Sequence, residues 1–275
     1  METKIAIQGI KGSFHHQVAE LYFSEKVELE ECMSFETLVK NVVSSKAPKG
    51  IMALENSIAG SIIPNYALID KYDLHIVGEH YLDIHHHLMG LKGQPISEIT
   101  EVQSHPMALL QCADFFAKYP HIRLVESNDT AETARRIQEL SLKGIGAIAS
   151  KTAAKLYDLD IIANDIHTVK NNTTRFVIVK NERKEIPKEQ INKASLKFEL
   201  EDQPGNLAKV LTMISDCHLN MTKILSLPII TTPFQYSFFV DVVFESYRDY
   251  QEAKTQLGQM TRHFKVLGEY KNGKS

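Results

Sequence analysis

A chain of 275 residues with a formal charge of -3, 43% hydrophobic and 24% charged residues, has a globular composition and length enough for two or three folding units. Its scattered basic residues exclude a nucleic-acid groove or an anionic membrane surface as the main partner, so a small molecule is the expected target. No apolar run approaches bilayer length, and residues 1–3 lead straight into Lys4-Ile5-Ala6-Ile7 without a signal-like region, so the expected location is the cytoplasm.

Residues 4–8 are β-rich and end at Gly9, and Gly12-Ser13 opens helical spacing at Phe14, Val18, Leu21 and Tyr22. Alternating signals follow: a helix around 35–45, strand 50–54, helix 61–70, strands near 74–78 and 82–90, helix 106–117, strand 122–126, helix 130–141 and strand 145–149. Helix 151–157 and a strand over 174–180 close this region. Such alternation predicts an α/β sheet layer covered by helices, here grouped as lobe 1 (about 1–78 plus 175–180) and lobe 2 (about 79–174). The charged, Pro187-containing run that follows lacks apolar periodicity and makes 181–193 the expected linker. Beyond it, strand 195–201, helix 204–217, strands 220–230 and 234–245, helix 248–260 and strand 264–270 spell the ferredoxin-like βαββαβ order of a second domain over 194–271. Leu207, Val210, Leu211 and Ile214 form the apolar stripe of its first helix.

Cys32, Cys112 and Cys217 are odd in number, far apart and outside any C-x-x-C pattern, which predicts reduced structural thiols. Gly9-Ile10-Lys11-Gly12 has neither dinucleotide nor P-loop spacing; it is either a tight turn or a helix-start loop whose N–H groups hold an anion. His85-His86-His87 invites a metal, but successive strand side chains point to opposite faces, so no metal is expected there.

Three polar clusters stand at the ends of apolar elements. Glu55-Asn56-Ser57 with Gly60 and Ser61 ends a strand, and caps are its plain alternative. Ser104-His105-Pro106 begins a helix on which Gln111, two turns on, shares the Ser104 azimuth, so one face offers a hydroxyl and an amide. Asn171-Asn172-Thr173-Thr174-Arg175-Phe176 precedes an apolar strand and is otherwise a capped loop with a surface Arg.

In their joint order these clusters resemble prephenate dehydratase along nearly the whole chain, through Glu55-Asn56-Ser57…Gly60, Ser104-His105-Pro106…Gln111-Cys112 and Thr174-Arg175-Phe176. Ala147-Ile148-Ala149-Ser150…Ala153-Ala154…Tyr157 adds to the likeness. The resemblance implies a two-lobed periplasmic-binding-protein-like catalytic region with the site in its cleft, an ACT domain behind it, and a homo-oligomer, dimer or tetramer. The family's Gly-Pro-x-Gly-Thr-Phe-Ser opening stands here as Gly9-Ile10-Lys11-Gly12-Ser13-Phe14-His15. With no chorismate-mutase segment ahead of Met1, a monofunctional enzyme is expected.

By the same resemblance, Thr174, Ser104, Gln111 and Asn56 are the expected catalytic residues. Glu55, Ser57, Gly60, Ser61, Thr173, Arg175, Phe176, Ser13, Phe14 and Glu126 are the expected substrate-binding residues, with Arg175 clamping a carboxylate. No cofactor is implied. Asp202-Gln203-Pro204-Gly205-Asn206-Leu207 resembles the ACT motif for phenylalanine, with Gly205, Asn206, Leu207 and the Leu225-Ser226-Leu227-Pro228 run as the effector site; a plain dimerisation module is the alternative. That run replaces the family's Glu-Ser-Arg-Pro and lacks both charges. Arogenate dehydratase and a non-catalytic amino-acid sensor are the competing functions.

Overall fold

The computed structural model describes residues 4–23, 27–183, 186–229, 232 and 235–274. In chain order the elements are β1 (Lys4–Gln8), α1 (Phe14–Tyr22), β2 (Glu28–Cys32), α2 (Phe35–Val43), β3 (Lys49–Asn56), β4 (Gly60–Ser61), α3 (Ile63–Lys71) and β5 (His75–Asp83). There follow β6 (His87–Gly90), β7 (Glu101–Ser104), α4 (Pro106–Gln111), α5 (Ala113–Phe116), β8 (Arg123–Glu126), α6 (Thr130–Leu140), β9 (Ile145–Ala149), α7 (Lys151–Leu156), β10 (Asp160–Ala163) and β11 (Thr173–Lys180). The last six are β12 (Lys193–Glu199), α8 (Asn206–Asp216), β13 (Asn220–Pro228), β14 (Tyr236–Val243), α9 (Tyr247–Met260) and β15 (Arg262–Tyr270). The fold is mixed α/β. None of the described helices is long and apolar enough to cross a membrane.

The chain divides into two compact units, residues 1–61 with 81–176 and residues 62–80 with 177–275. This partition differs from the sequence grouping, because α3 and most of β5 belong with the C-terminal segment instead of the first lobe. Of the expected linker, Lys184 and Glu185 lie outside the described residues.

In the first unit β1 runs parallel to β2 on one side and β3 on the other. The continuous apolar runs Ile5-Ala6-Ile7 and Ile51-Met52-Ala53-Leu54 are buried, as expected for parallel strands covered on both faces. Ser13 caps α1 by accepting the His16 N–H at 3.3 Å, and Ser34 caps α2 by accepting the Thr37 N–H at 3.1 Å. The apolar side of α2, Leu38, Val39 and Val42, is fully buried.

A second sheet, in the order β10-β6-β9-β7-β8, carries one apolar cluster with α6 and α7 and another with α4 and α5. The loop after β1 docks on it. Asp129 Oδ2 accepts the Ile10 N–H at 3.2 Å, Ser150 Oγ donates to Gly12 O at 2.9 Å, and Tyr157 Oη donates to Lys11 O at 2.6 Å. The expected single helix over 106–117 is broken at Cys112, because the Thr168 N–H takes the Gln111 carbonyl at 2.8 Å and leaves Phe115 N–H to bond Cys112 O. The expected strand over 82–90 is likewise interrupted at residues 84–86, where the chain passes toward the second sheet.

In the second unit the order β13-β14-β12-β15-β5 places the βαββαβ strands antiparallel to one another and β5 parallel to β15. Leu196, Phe198, Val210, Ile214, Val240, Tyr250 and Leu257 form its core. Gly268 is required at the β15–β5 pairing, since a Cβ there would lie 2.3 Å from Ile76 O. Lys193 Nζ is buried against both Glu79 carboxylate oxygens at 2.9 Å, a fully paired charge whose separation would strand an ion in the core.

Candidate active site

The ends of β3 and β11 bring together residues more than a hundred positions apart. Asn56 Nδ2 donates to Thr174 Oγ1 at 2.9 Å and to Asn172 Oδ1 at 2.6 Å, and Asn172 Nδ2 donates to Gln111 Oε1 at 2.9 Å. His86 Nε2 lies 3.0 Å from the same Gln111 oxygen. Thr174 and Asn172 are buried, while Gln111 is half-buried. Ser57 staples the two strand ends: its Oγ donates to Asn171 O at 3.3 Å and accepts the Thr173 N–H at 3.0 Å. Thr173 Oγ1 donates to Asp83 Oδ1 at 2.6 Å. Glu55 and Gly60-Ser61 form the adjoining β3–β4 hairpin.

Phe14 joins this group from the other side, its ring edge-on to His86 at 5.6 Å between centroids. Beside Phe14 opens a cavity of about 180 Å³ whose wall includes His85, His87, Asp83, Lys151 and Asp165. Ser13 is buried as the α1 cap, so it holds the loop that presents Phe14. A larger space of about 540 Å³ lies between α8 and α9 in the second unit; its lining of helix-surface side chains includes none of the expected site residues.

Four expected site residues stand elsewhere. Ser104 ends β7 instead of starting the helix, is fully buried, and donates to Ile148 O at 2.7 Å, so it shares no helix face with Gln111 and its hydroxyl serves the second sheet. Glu126 is exposed at the end of β8, opposite Ser104, and no contact ties it to the cluster. Arg175 is 3% exposed and next to Thr174 in β11, so strand alternation sends its side chain to the face away from Thr174. Phe176, two residues on from Thr174, packs edge-on to the His15 ring at 5.0 Å and lines the core.

Asn172, His86 and Asp129 were not among the expected site residues. Asp129 was legible only as a helix cap, from Ser127-Asn128-Asp129-Thr130 ahead of an apolar-spaced helix. Its carboxylate does cap α6 through the Ala131 N–H at 2.7 Å, and also anchors Ile10. Burial raises its pKa, against which these amides stabilise the charge. Burial also holds the Cys112 thiol up to about 12, which removes it as a nucleophile at neutral pH; all three cysteines are free and buried.

His85, Asp165 and His167 offer atoms within 4.8 Å of one another, a grouping the three-histidine run did not suggest because the chain bends there. Two features oppose a cation. His167 Nδ1 accepts the His86 N–H at 3.3 Å, which places the neutral ring's proton on the buried Nε2. Lys170 Nζ binds the Asp165 and His167 carbonyl oxygens at 2.5 and 2.7 Å, putting a positive charge beside the group. Asp165 instead accepts from His85 Nδ1 at 2.8 Å, a bond that lowers its pKa.

Desolvation depresses the pKa of His15 to about 3 and of His86 and His87 to about 4. The native state therefore keeps these rings neutral where the unfolded chain, ionising near 6.5, begins to bind protons. Stability falls as pH drops below 6.5 and, for His15, goes on falling until about 3. His15→Leu is expected to flatten the acid limb: urea midpoints measured from about pH 7 down to about pH 4 should decline less steeply than in the parent. Equal slopes would mean that His15 is not held neutral.

In the second unit, Asn206, Leu207, Tyr236 and Phe238 line a cavity of about 110 Å³. Gly205 stands next to it with φ of +83° and open space around it. Leu225, Ser226, Leu227 and Pro228 lie on β13, paired with Phe239, Phe238, Ser237 and Tyr236, and are outside that lining.

Residues 5–184 match the family model described as prephenate dehydratase. The chain is 34% identical over 278 residues to arogenate dehydratase/prephenate dehydratase 2 of Arabidopsis thaliana, covering 98% of this chain and 72% of that protein. It is 30% identical over 270 residues to the bifunctional chorismate mutase/prephenate dehydratase of Buchnera aphidicola, covering 97% and 70%. Among solved structures, the prephenate dehydratase of Staphylococcus aureus superposes with a TM-score of 0.82 at 25% identity, covering 98% of this chain and all of that one. GqqA, described as a novel type of quorum quenching acylase, superposes with a TM-score of 0.87 at 27% identity, covering 98% and 97%. A family model that spans well over half of the sequence, and relatives aligned along nearly all of it, place this chain in the prephenate dehydratase family.

Proposed function

We propose that the Asn56, Asn172, Gln111 and Thr174 cluster carries out the decarboxylating dehydration of prephenate to phenylpyruvate in phenylalanine biosynthesis. The observation that carries this reading is the Thr174 hydroxyl, held at 2.9 Å by Asn56 Nδ2 among uncharged amides. Prephenate has two carboxylates and a ring hydroxyl. The electrons of the bond to the departing carboxylate enter the ring, carbon dioxide leaves, and hydroxide is expelled from the opposite carbon as the ring becomes aromatic. The enzyme's task is to help that oxygen leave, which a hydrogen bond from Thr174 does. A neutral hydroxyl is a weak acid, so its orientation and the removal of water supply much of the effect. The uncharged donors suit the other end too, because a strong cation on the departing carboxylate would stabilise the ground state.

Arogenate differs from prephenate only by an amine where the keto group stands, and one relative bears both names. Parallel kinetics separate the two substrates: a higher kcat/KM with prephenate is expected, and a higher value with arogenate would reassign the enzyme. The second unit, with its 110 Å³ cavity beside Gly205, is the proposed sensor of phenylalanine across a homo-oligomer interface. Inhibition should appear at roughly millimolar phenylalanine, in the range of ordinary metabolite affinities; an unresponsive enzyme would leave the unit as a dimerisation module.

A further inference from the structure

We propose that His86 and Asn172 are positioning residues that hold the Gln111 oxygen from two sides, so that Gln111 presents its Nε2 donors to the substrate beside the Thr174 hydroxyl, whose direction Asn56 fixes. The catalytic half of this statement rests on the prephenate reading above; the structural half stands without it.

An amide side chain has one oxygen that only accepts and one nitrogen that only donates, so a single anchored oxygen orients the whole chain. Asn56 supplies the anchor: its Oδ1 accepts the Ile58 and Ala59 N–H groups at 3.0 and 2.9 Å, and backbone donors cannot be reversed. Asn56 Nδ2 must therefore donate, to Thr174 Oγ1 and to Asn172 Oδ1. With its oxygen so engaged, Asn172 turns its Nδ2 to Gln111 Oε1. The same Gln111 oxygen faces His86 Nε2 at 3.0 Å, and two acceptors cannot bond, so that ring nitrogen carries the hydrogen. His86 is thus the Nε2–H tautomer, its Nδ1 buried without a partner beside Phe14, and burial keeps the ring neutral.

Two consequences follow at the substrate side. Thr174 Oγ1 already accepts a hydrogen bond, which leaves its O–H to be given to a departing oxygen. Gln111, its oxygen held from two directions, is forced to turn its Nε2 donors outward. Reversing the polarity would offer lone pairs to a leaving hydroxide, which repels them.

The test uses the full chain labelled with [15N]histidine at neutral pH, together with His86→Gln, His86→Leu and Asn172→Asp. The His86 signal, assigned by its absence from His86→Gln, is expected to report the neutral Nε2–H tautomer; an Nδ1–H tautomer would overturn the proposal, whatever the enzyme turns over. In kinetics, Gln can place an N–H where Nε2 stands and should keep kcat within about fivefold, whereas Leu should lower kcat by about tenfold or more with KM within about threefold. Asn172→Asp, an acceptor that cannot donate to Gln111, should behave like His86→Leu. Equal kcat in His86→Gln and His86→Leu would reduce His86 to packing against Phe14 and overturn its positioning role. Absence of prephenate turnover in the parent would sink the functional reading, while the tautomer spectrum would still decide the polarity.

Discussion

Replacing Thr174 by Ala is expected to lower kcat by about 10²–10⁴ while KM stays within about threefold. That range corresponds to a barrier raised by about 3–5 kcal/mol. The effect falls on kcat because the bond from Thr174 to the departing oxygen strengthens as charge develops there, and is weak in the ground state. The fold should survive the change. Asn56, which loses one acceptor, keeps Asn172 Oδ1 at 2.6 Å and its two backbone donors. The variant's far-UV spectrum and unfolding midpoint should therefore stay close to those of the parent. Undiminished turnover would remove Thr174 from the mechanism, and a collapsed midpoint would make it a structural residue.

Gly9→Ala is the second large effect, and it acts through the fold. Gly9 has φ of +90°, where an L side chain is strained, and its added Cβ would sit 2.1 Å from Asp129 Oδ2. That carboxylate cannot swing aside freely, since it is buried and holds both Ile10 N–H and Ala131 N–H. Backbone strain of about 1–2 kcal/mol and the loss of these two charge-assisted bonds at about 1.5–3 kcal/mol each add to about 4–8 kcal/mol. The loop that would be displaced carries Ser13 and Phe14, so activity should fall together with the urea midpoint. Compared in the same buffers, an unchanged midpoint would mean that the loop does not rest on Asp129 as described.

How much of this was legible depended on whether the signal was local. The β1–α1 start and the whole βαββαβ order were readable because apolar spacing, Ser caps and Pro or Gly breaks agree within each segment. Glu28-Leu29-Glu30-Glu31-Cys32 was not readable as a strand. It lies at the edge of its sheet, and its charges are answered only in space, Glu30 by Lys4 at 2.9 Å and Lys46 at 2.5 Å. The break at Cys112 was hidden for the same reason: the Thr168 N–H that captures Gln111 O is 57 residues away along the chain.

The site divided along similar lines. Asn56, Gln111 and Thr174 stood in recognisable runs, and the fold brings them together. Asn172 looked like one more loop Asn, since its work depends on partners at positions 56 and 111. His86 was masked by its neighbours in the histidine run, whose side chains go elsewhere once the chain bends between sheets. Ser104 stood in one of the same runs, but its burial and its bond to Ile148 O commit its hydroxyl to the second sheet, and Arg175 is buried within β11. A motif fixes which residues are near the chemistry; the hydrogen-bond partners decide which of them face it.

The most direct measurement is to mix the purified protein with prephenate and follow phenylpyruvate by its absorbance in alkali. Phenylpyruvate is expected to accumulate at a rate proportional to protein concentration, without added metal or cofactor. Accumulation no faster than the spontaneous rate, from a protein shown to be folded, would contradict the assignment of this cluster to prephenate dehydration.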